Sequence, residues 1–305
     1  MDTEEEFDWD APFRREGHTT LSVSELQAFQ QFAETLGFKP VYFIDFAIVQ
    51  NDEAAAFLRI VAERKTADIG VHLHPWINPP FDEQLNVHNS FAGNLPKELE
   101  EQKLVILRNA IRDRIGITPT IFRAGRYGIG PHTIDLLVKH GFVMDSSIRS
   151  RFDYSGEGGP DFLSAGPEPF WWGSENRLLE VPLTTVYSGL LRKQAGLVAG
   201  MMERHPLVNA LCSRSKMLER IPLTPEGISA RETKEAIDVA LDDDLRLLVF
   251  SFHSPSLSPG HTPYVQTQQE LDGFYDWWRE VIAHLETRNV KPIEIDELIR
   301  SARGF

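Results

Sequence analysis

Short apolar runs rich in β-branched and aromatic residues alternate along this chain with longer amphipathic stretches. That is the pattern of an α/β protein whose sheet is largely parallel. It predicts strands over Val41–Ala47, Asp68–Leu73, Thr120–Arg123, Phe142–Asp145, Leu178–Leu183 and Leu245–Phe252, and a short one over Val290–Ile295. Between them it predicts helices over Asp52–Lys65 with Asp52 as N-cap, Pro96–Gly116, Gly130–His140, Thr224–Asp242 and Gln266–Arg288. A helix entered at proline and closed by glycine, as at Pro96 and Gly116, follows the usual asymmetry of helix ends. About six strands joined by helical crossovers fit a TIM-like barrel better than an open sheet. The loops Asn78–Pro96 and Phe152–Pro169, rich in Gly and Pro, are expected over the barrel mouth. Ser188–Pro222 is basic for this chain and reads as a helical insertion.

Composition narrows the picture. A chain of 305 residues suits one α/β barrel, so a single catalytic domain over 1–305 is expected. The formal net charge is −14, and no run of Lys and Arg is long enough to track a phosphate backbone, which argues against a nucleic-acid partner. Cys212 is the only cysteine, so an intrachain disulfide and a Cys-rich zinc site are both excluded. Met1 to Asp10 is acidic and lacks the regions of a signal peptide, and no stretch approaches the length of apolar span a membrane needs. The expected location is cytoplasmic.

Four stretches hold residues suited to chemistry. In Ile69–Trp76 (IGVHLHPW), His72 and His74 stand at i and i+2 at the end of an apolar strand and so share a face. Two readings stand: ligands for Zn²⁺ or another divalent metal at the mouth, or two satisfied histidines near a loop. Asp2–Asp10 (DTEEEFDWD) is either a solvated acidic terminus or, given the interleaved Phe7 and Trp9, a structured segment. In the second case a pair such as Asp2 and Glu4 could divide the work of base and metal ligand. Phe122–Gly128 (FRAGRYG) sets Arg123 at a strand end, where it could orient a carboxylate, or leaves it on a surface turn. Asp145-Ser146-Ser147 follows the next strand and could equally cap a helix. Phe250–Ser254 (FSFHS) presents His253 at the end of an apolar strand, either as a structural residue or as a general acid titrating near neutrality.

Taken in order, these stretches resemble the motifs of the carbohydrate esterase family 4, or NodB-homology, deacetylases of the polysaccharide deacetylase superfamily. The resemblance is closest to a bacterial WalW-like subgroup linked to lipopolysaccharide or exopolysaccharide synthesis. It is carried by Asp2–Trp9, His72–Trp76, Gly93–Pro96, Ala124–Gly128, Asp145–Ser147 and Ser251–Leu257. Two departures stand out. Only Met1 precedes the first motif, where a strand is usual, which predicts a truncated first strand and a flexible amino group beside Asp2. The better-known relatives carry two histidines four apart, whereas position 76 is Trp76, so a metal would need His74 or a more distant group such as His88.

The resemblance implies a distorted TIM-like (β/α)7 barrel that removes an N-acetyl or O-acyl group from an amino sugar. By resemblance, Glu4, His72 and His74 hold a divalent metal, expected to be Zn²⁺, with Glu5 as alternative to Glu4. Asp2 is the base, held ionised by Arg123. His253, tuned by Asp145, is the acid. Backbone N–H groups near Tyr127 bind the oxyanion. Tyr127, Arg126 and Trp76 are expected to meet the carbohydrate substrate, and Trp171 and Trp172 could also stack on sugar faces. The rival readings are hydrolysis of a non-sugar C–N bond, as in purine-degrading relatives, and a non-catalytic glycan-binding protein.

Overall fold

The computed structural model of the chain describes residues 1–8, 11–173, 177–195 and 217–304. Asp2–Thr3 (β1), Val41–Ile44 (β2), Asp68–Leu73 (β3), Ile121–Ala124 (β4), Met144–Asp145 (β5), Phe170–Trp172 (β6) and Leu178–Glu180 (β7) form one sheet in the order β1-β2-β3-β4-β5-β7-β6. Every pairing is parallel except that of β6 with β7. The fold is the expected (β/α) barrel in distorted form. Thr185–Ser188 (β8) and Glu219–Pro222 (β9) make a separate antiparallel pair.

Side-chain alternation divides the sheet into two faces. Tyr42, Ile44, Ile69, Val71, Leu73, Phe122 and Leu178 face the large core shared with the surrounding helices. Phe43, Ile121, Met144 and Leu179 face a smaller interior core. Gly70 lies on that inner face, where an added Cβ would come within 2.8 Å of both Phe43 and Ile121. The interior is therefore filled by side chains, and His72 and Arg123 continue its inward row toward the carboxyl ends of the strands.

The apolar run expected as the strand Leu245–Phe252 is extended but not a regular strand. It still closes the sheet. The Asp2 N–H donates to the Phe252 carbonyl at 2.9 Å, and the Thr184 N–H donates to the Val249 carbonyl at 3.3 Å. Its side chains alternate, with Leu248, Phe250 and Phe252 toward the outer core and Leu247 and Val249 toward the inner one. Its backbone partners are scattered: Ser251 N–H bonds the Leu223 carbonyl, and Val249 N–H bonds a threonine hydroxyl. No continuous ladder forms. The Met1 amino group, expected to be flexible beside Asp2, instead donates to the Val41 carbonyl at 2.9 Å in a buried position.

The helices are Leu26–Thr35 (α1), Phe46–Gln50 (α2), Asp52–Arg64 (α3), Lys97–Ile115 (α4), Thr133–Lys139 (α5), Ala230–Asp242 (α6), Gln268–Thr287 (α7) and Ile295–Ala302 (α8) among the described residues. Asn51, not Asp52, caps α3 by accepting the Ala54 N–H, which leaves Asp52 in the first turn where its charge suits the helix dipole. Ser229 with Glu232 and Thr267 with Glu270 form reciprocal capping boxes that fix the starts of α6 and α7. The expected strand Val290–Ile295 is replaced by α8. Ile295, Leu298, Ile299 and Ala302 recur at helical spacing and pack with Val41 and Val143 at the amino ends of the strands. Of the helical insertion expected over 188–222, residues 196–216 lie outside the described residues. Its described flanks are β8, a short 3-10 helix at Arg192–Gln194, and β9.

Candidate metal and proton-transfer site

Strand register gathers the site. Asp2 pairs with Phe43, and His72 with Arg123, so their side chains project from the inner face at the carboxyl ends of β1, β3 and β4. Past Thr3 the chain leaves the ladder. The Glu4 N–H donates to Ser254 Oγ at 3.1 Å and the Glu5 N–H to Asp45 Oδ2 at 2.8 Å. These anchors turn both glutamates toward the histidines.

Glu4 Oε2 stands 3.3 Å from His72 Nε2 and 3.4 Å from His74 Nε2. All three ligand atoms lie within 4.8 Å of one another, and all three residues are buried. Donors around one tetrahedral zinc, at roughly 2.0–2.2 Å from it, stand about 3.3–3.5 Å apart. The other ring nitrogens are already committed. His72 Nδ1 meets the Arg123 carbonyl at 3.1 Å, and His74 Nδ1 meets Glu5 Oε2 at 2.9 Å. That fixes both Nε2 atoms as the free donors, in the manner of a carboxylate or carbonyl behind a metal-bound histidine.

Electrostatics points the same way. Burial, and then the charges of Glu5, Asp2 and Asp45, push the Glu4 carboxyl well above its usual range. Burial, and then His74, hold His72 well below the usual imidazole range, and burial brings His74 down to about 4. Neutral imidazoles beside a carboxylate that resists ionisation form a donor set a divalent cation would satisfy. The residues present fit such an ion.

Glu5 stands behind His74 rather than beside Glu4. Its Oε1 accepts the Trp76 indole N–H at 2.8 Å, and its carboxyl bonds that of Asp45, which also caps α2 through the Ile48 N–H. Burial raises the pKa of both acids. Trp76 stacks on His74 at 4.3 Å and is only 2% exposed, so it has no face left for a sugar, contrary to expectation. Trp171 and Trp172 lie on β6, with their indole N–H groups on the Ala302 carbonyl and Glu180. His88 bonds Asn94 in the loop before α4, away from the cluster.

Arg123 is buried against the Phe43 ring, with its Nε on the Ser146 carbonyl and NH2 on Ser146 Oγ, both at 3.0 Å, and NH1 on Asp2. Burial alone would raise the Asp2 pKa, but the Arg123 guanidinium overrides it and holds the carboxyl well below the usual range. Asp2 Oδ2 faces His253 Nε2 at 3.9 Å.

His253 Nδ1 meets Glu226 Oε2 at 2.8 Å, and Glu226 Oε1 accepts the His253 N–H and the Ser256 hydroxyl. Burial opposes protonation of His253, and Glu226 outweighs it, so the imidazole pKa is raised. Asp145 does not tune this histidine. Its register with Phe122 and Glu180 sets it on the outer face of the sheet. There it bonds Glu180, and burial raises it to about 6. Sequence alone missed Glu226. It sits in a turn between β9 and α6, and no periodicity marks it.

Gly125 makes room for the cluster, since an added Cβ would lie 2.3 Å from His74 Cδ2. The next two residues, Arg126 and Tyr127, both adopt left-handed backbone, at φ 54° and 60°. Such strain in two non-glycine residues is typical of a functional loop. Arg126 bonds Ser90 and Glu157.

A comparison with models of known protein families finds no match, and neither does one with curated proteins. Solved structures do match. A protein from Mycobacterium smegmatis described as a polysaccharide deacetylase is 15% identical, with a TM-score of 0.54 over 93% of this chain and 77% of that one. One so described from Pseudomonas aeruginosa PAO1 is 11% identical, with a TM-score of 0.50 over 99% and 88%. An allantoinase is 12% identical, with a TM-score of 0.51 over 99% and 89%. At these identities the likeness is one of fold.

Proposed function

We propose that this chain, which has the fold of the polysaccharide deacetylases, is a metal-dependent hydrolase that removes an acyl group, most simply acetyl, from the nitrogen of an amino sugar. The observation that carries this reading is the convergence of Glu4, His72 and His74 on one point beside Asp2, whose carboxyl Arg123 holds below its usual range, and His253, whose pKa Glu226 raises. In this reading Glu4, His72 and His74 hold the cation, which we take to be Zn²⁺, and residues 1–305 act as one catalytic domain. When bound, such an ion supplies Lewis-acid polarisation of the acyl carbonyl and a lowered pKa for water.

The chain's own residues handle the protons. Asp2, kept ionised by Arg123, accepts the proton of the attacking water. The water oxygen bonds to the acyl carbon, and the backbone N–H of Tyr127 stabilises the oxygen that gains charge. His253, kept protonated by Glu226, delivers a proton from Nε2 to the sugar nitrogen as the C–N bond breaks. Such a division needs one group with a lowered pKa facing one with a raised pKa, as Asp2 and His253 do. A glycan-binding protein without chemistry has no use for that opposition.

We take the substrate to be a cytoplasmic precursor of a surface polysaccharide or lipopolysaccharide. No helix among the described residues is long and apolar enough to cross a membrane. The test is acetate release from N-acetylglucosamine oligomers by zinc-loaded protein, with allantoin as the competing substrate. Acetate release supports the proposal. Turnover of allantoin alone favours the second reading, hydrolysis of a non-sugar C–N bond, which the allantoinase fold likeness supports.

A further inference from the structure

Arg149 follows β5 by a few residues and lies at the same end of the sheet as His253. Its guanidinium carbon stands 3.9 Å from the Phe152 ring centroid and 5.5 Å from that of Tyr127, and its NH1 donates to the Tyr154 hydroxyl at 3.2 Å. The side chain is half-buried, and its charge is close enough to His253 and Tyr264 to act on both. These contacts hold the plane of the guanidinium. They do not neutralise it.

Other arginines of the site are neutralised: Arg123 pairs with Asp2 and Arg126 with Glu157. Arg151, two residues on, instead donates its Nε to the Thr185 carbonyl and lies over the Tyr187 ring. Among the described residues no carboxylate lies within ion-pair distance of Arg149. In a chain with 45 acidic against 31 basic residues, a half-buried cation left without an acid at the reaction centre is a departure that needs a cause. Burying a charge without a counter-charge is costly. A rigid, stacked guanidinium fork is suited to a carboxylate or a phosphate.

We propose that Arg149 binds an anionic group of the substrate, a carboxylate or phosphate set beside the sugar nitrogen that His253 protonates. The inference rests on the hydrolase reading above and narrows its substrate to acidic or phosphorylated amino sugars. Phe152 and Tyr154 orient the fork, and the Tyr127 ring faces it at 5.5 Å.

The test compares three probes: N-acetylglucosamine, its 1-phosphate, and the corresponding N-acetylated uronic acid. Acetate release and calorimetric binding are measured with zinc-loaded wild type, Arg149→Met and Arg149→Lys. Wild type should favour a charged probe over the neutral sugar by roughly 10–100-fold, the worth of one charge-assisted contact. The charged probe that wins separates phosphate from carboxylate. Arg149→Met should bring the ratio near one, and Arg149→Lys should restore part of it. Wild type that binds or turns over the neutral sugar as well as both charged ones overturns the proposal, as does a preference that survives in Arg149→Met. Binding of a charged probe that depends on Arg149, with no acetate released from any probe, upholds the anion site and defeats the deacetylase reading instead. Absence of binding and turnover with all three probes counts against both.

Discussion

Glu226 Oε2 lies 2.8 Å from Nδ1 of His253, and the same carboxylate accepts the His253 backbone N–H at 3.0 Å. One acid thus fixes both the orientation and the charge of the imidazole. Its Nε2 is left to face Asp2.

The first prediction follows from that pair. Because Glu226 raises the His253 pKa, the protonated acid persists to higher pH than in a free imidazole and is lost as pH rises through the raised value. Glu226→Gln removes the stabilising charge, so the alkaline limb of kcat should move to lower pH. The rate at neutral pH should fall by roughly 10–100-fold, part of the usual worth of a general acid. A pH–rate profile of the two proteins checks this, and an unmoved limb contradicts it.

A second prediction concerns Asp2 and Arg123, both 2% exposed. Arg123→Met leaves a buried carboxylate without its partner and should cost about 3–5 kcal/mol of stability. The pair's contribution is present above the pKa of an unfolded aspartate and disappears as pH falls through the lowered folded value. The loss in Arg123→Met should therefore be large at neutral pH and shrink in acid. Urea unfolding at neutral and acidic pH measures it. The double variant with Asp2→Asn should be more stable than Arg123→Met alone.

Much of this site is legible in the sequence. The i, i+2 spacing of His72 and His74 fixes their shared face, since alternation is a property of any strand. Asp2 takes the inner face by the same rule, but only through the pairing of β1 with β2, where the sequence predicts a truncated strand. What escapes the sequence depends on closure of the barrel. Glu226 reaches His253 only because the run before His253 lies between Asp2 and the segment after β7, a pairing no local pattern encodes. Asp145 misleads because a carboxylate at a strand end invites a functional role, yet its parity with Phe122 turns it outward to Glu180. Trp76 misleads in the same way, for an aromatic beside two histidines suits a sugar platform as well as a wall.

The fold shows the same division. Asp68–Leu73 is a strand as the pattern predicts, because a central strand buried on both faces writes its own limits. Val290–Ile295 is not, because the apolar positions that matter run onward through Ile299 at helical spacing. An isolated window of β-branched residues cannot reveal that.

Trp76 and Glu5 give a third prediction. If both act by holding His74, Trp76→Phe and Glu5→Gln should weaken zinc binding, by roughly 10–100-fold for Glu5→Gln. At saturating zinc neither should raise KM for the sugar substantially. Zinc titration against a competing chelator, followed by kinetics on zinc-saturated protein, checks both parts. A rise in KM with unchanged metal affinity would return Trp76 to the substrate.

Glu4, His72 and His74 either form one metal centre that the chemistry needs or they do not. Protein stripped with chelator and titrated with zinc, with acetate release from an N-acetylglucosamine oligomer followed at each addition, measures both at once. The predicted result is uptake of one equivalent by wild type with activity rising in step, and loss of both in His72→Ala and Glu4→Gln. Zinc uptake unaffected by those substitutions, or full acetate release from the stripped protein, would contradict it.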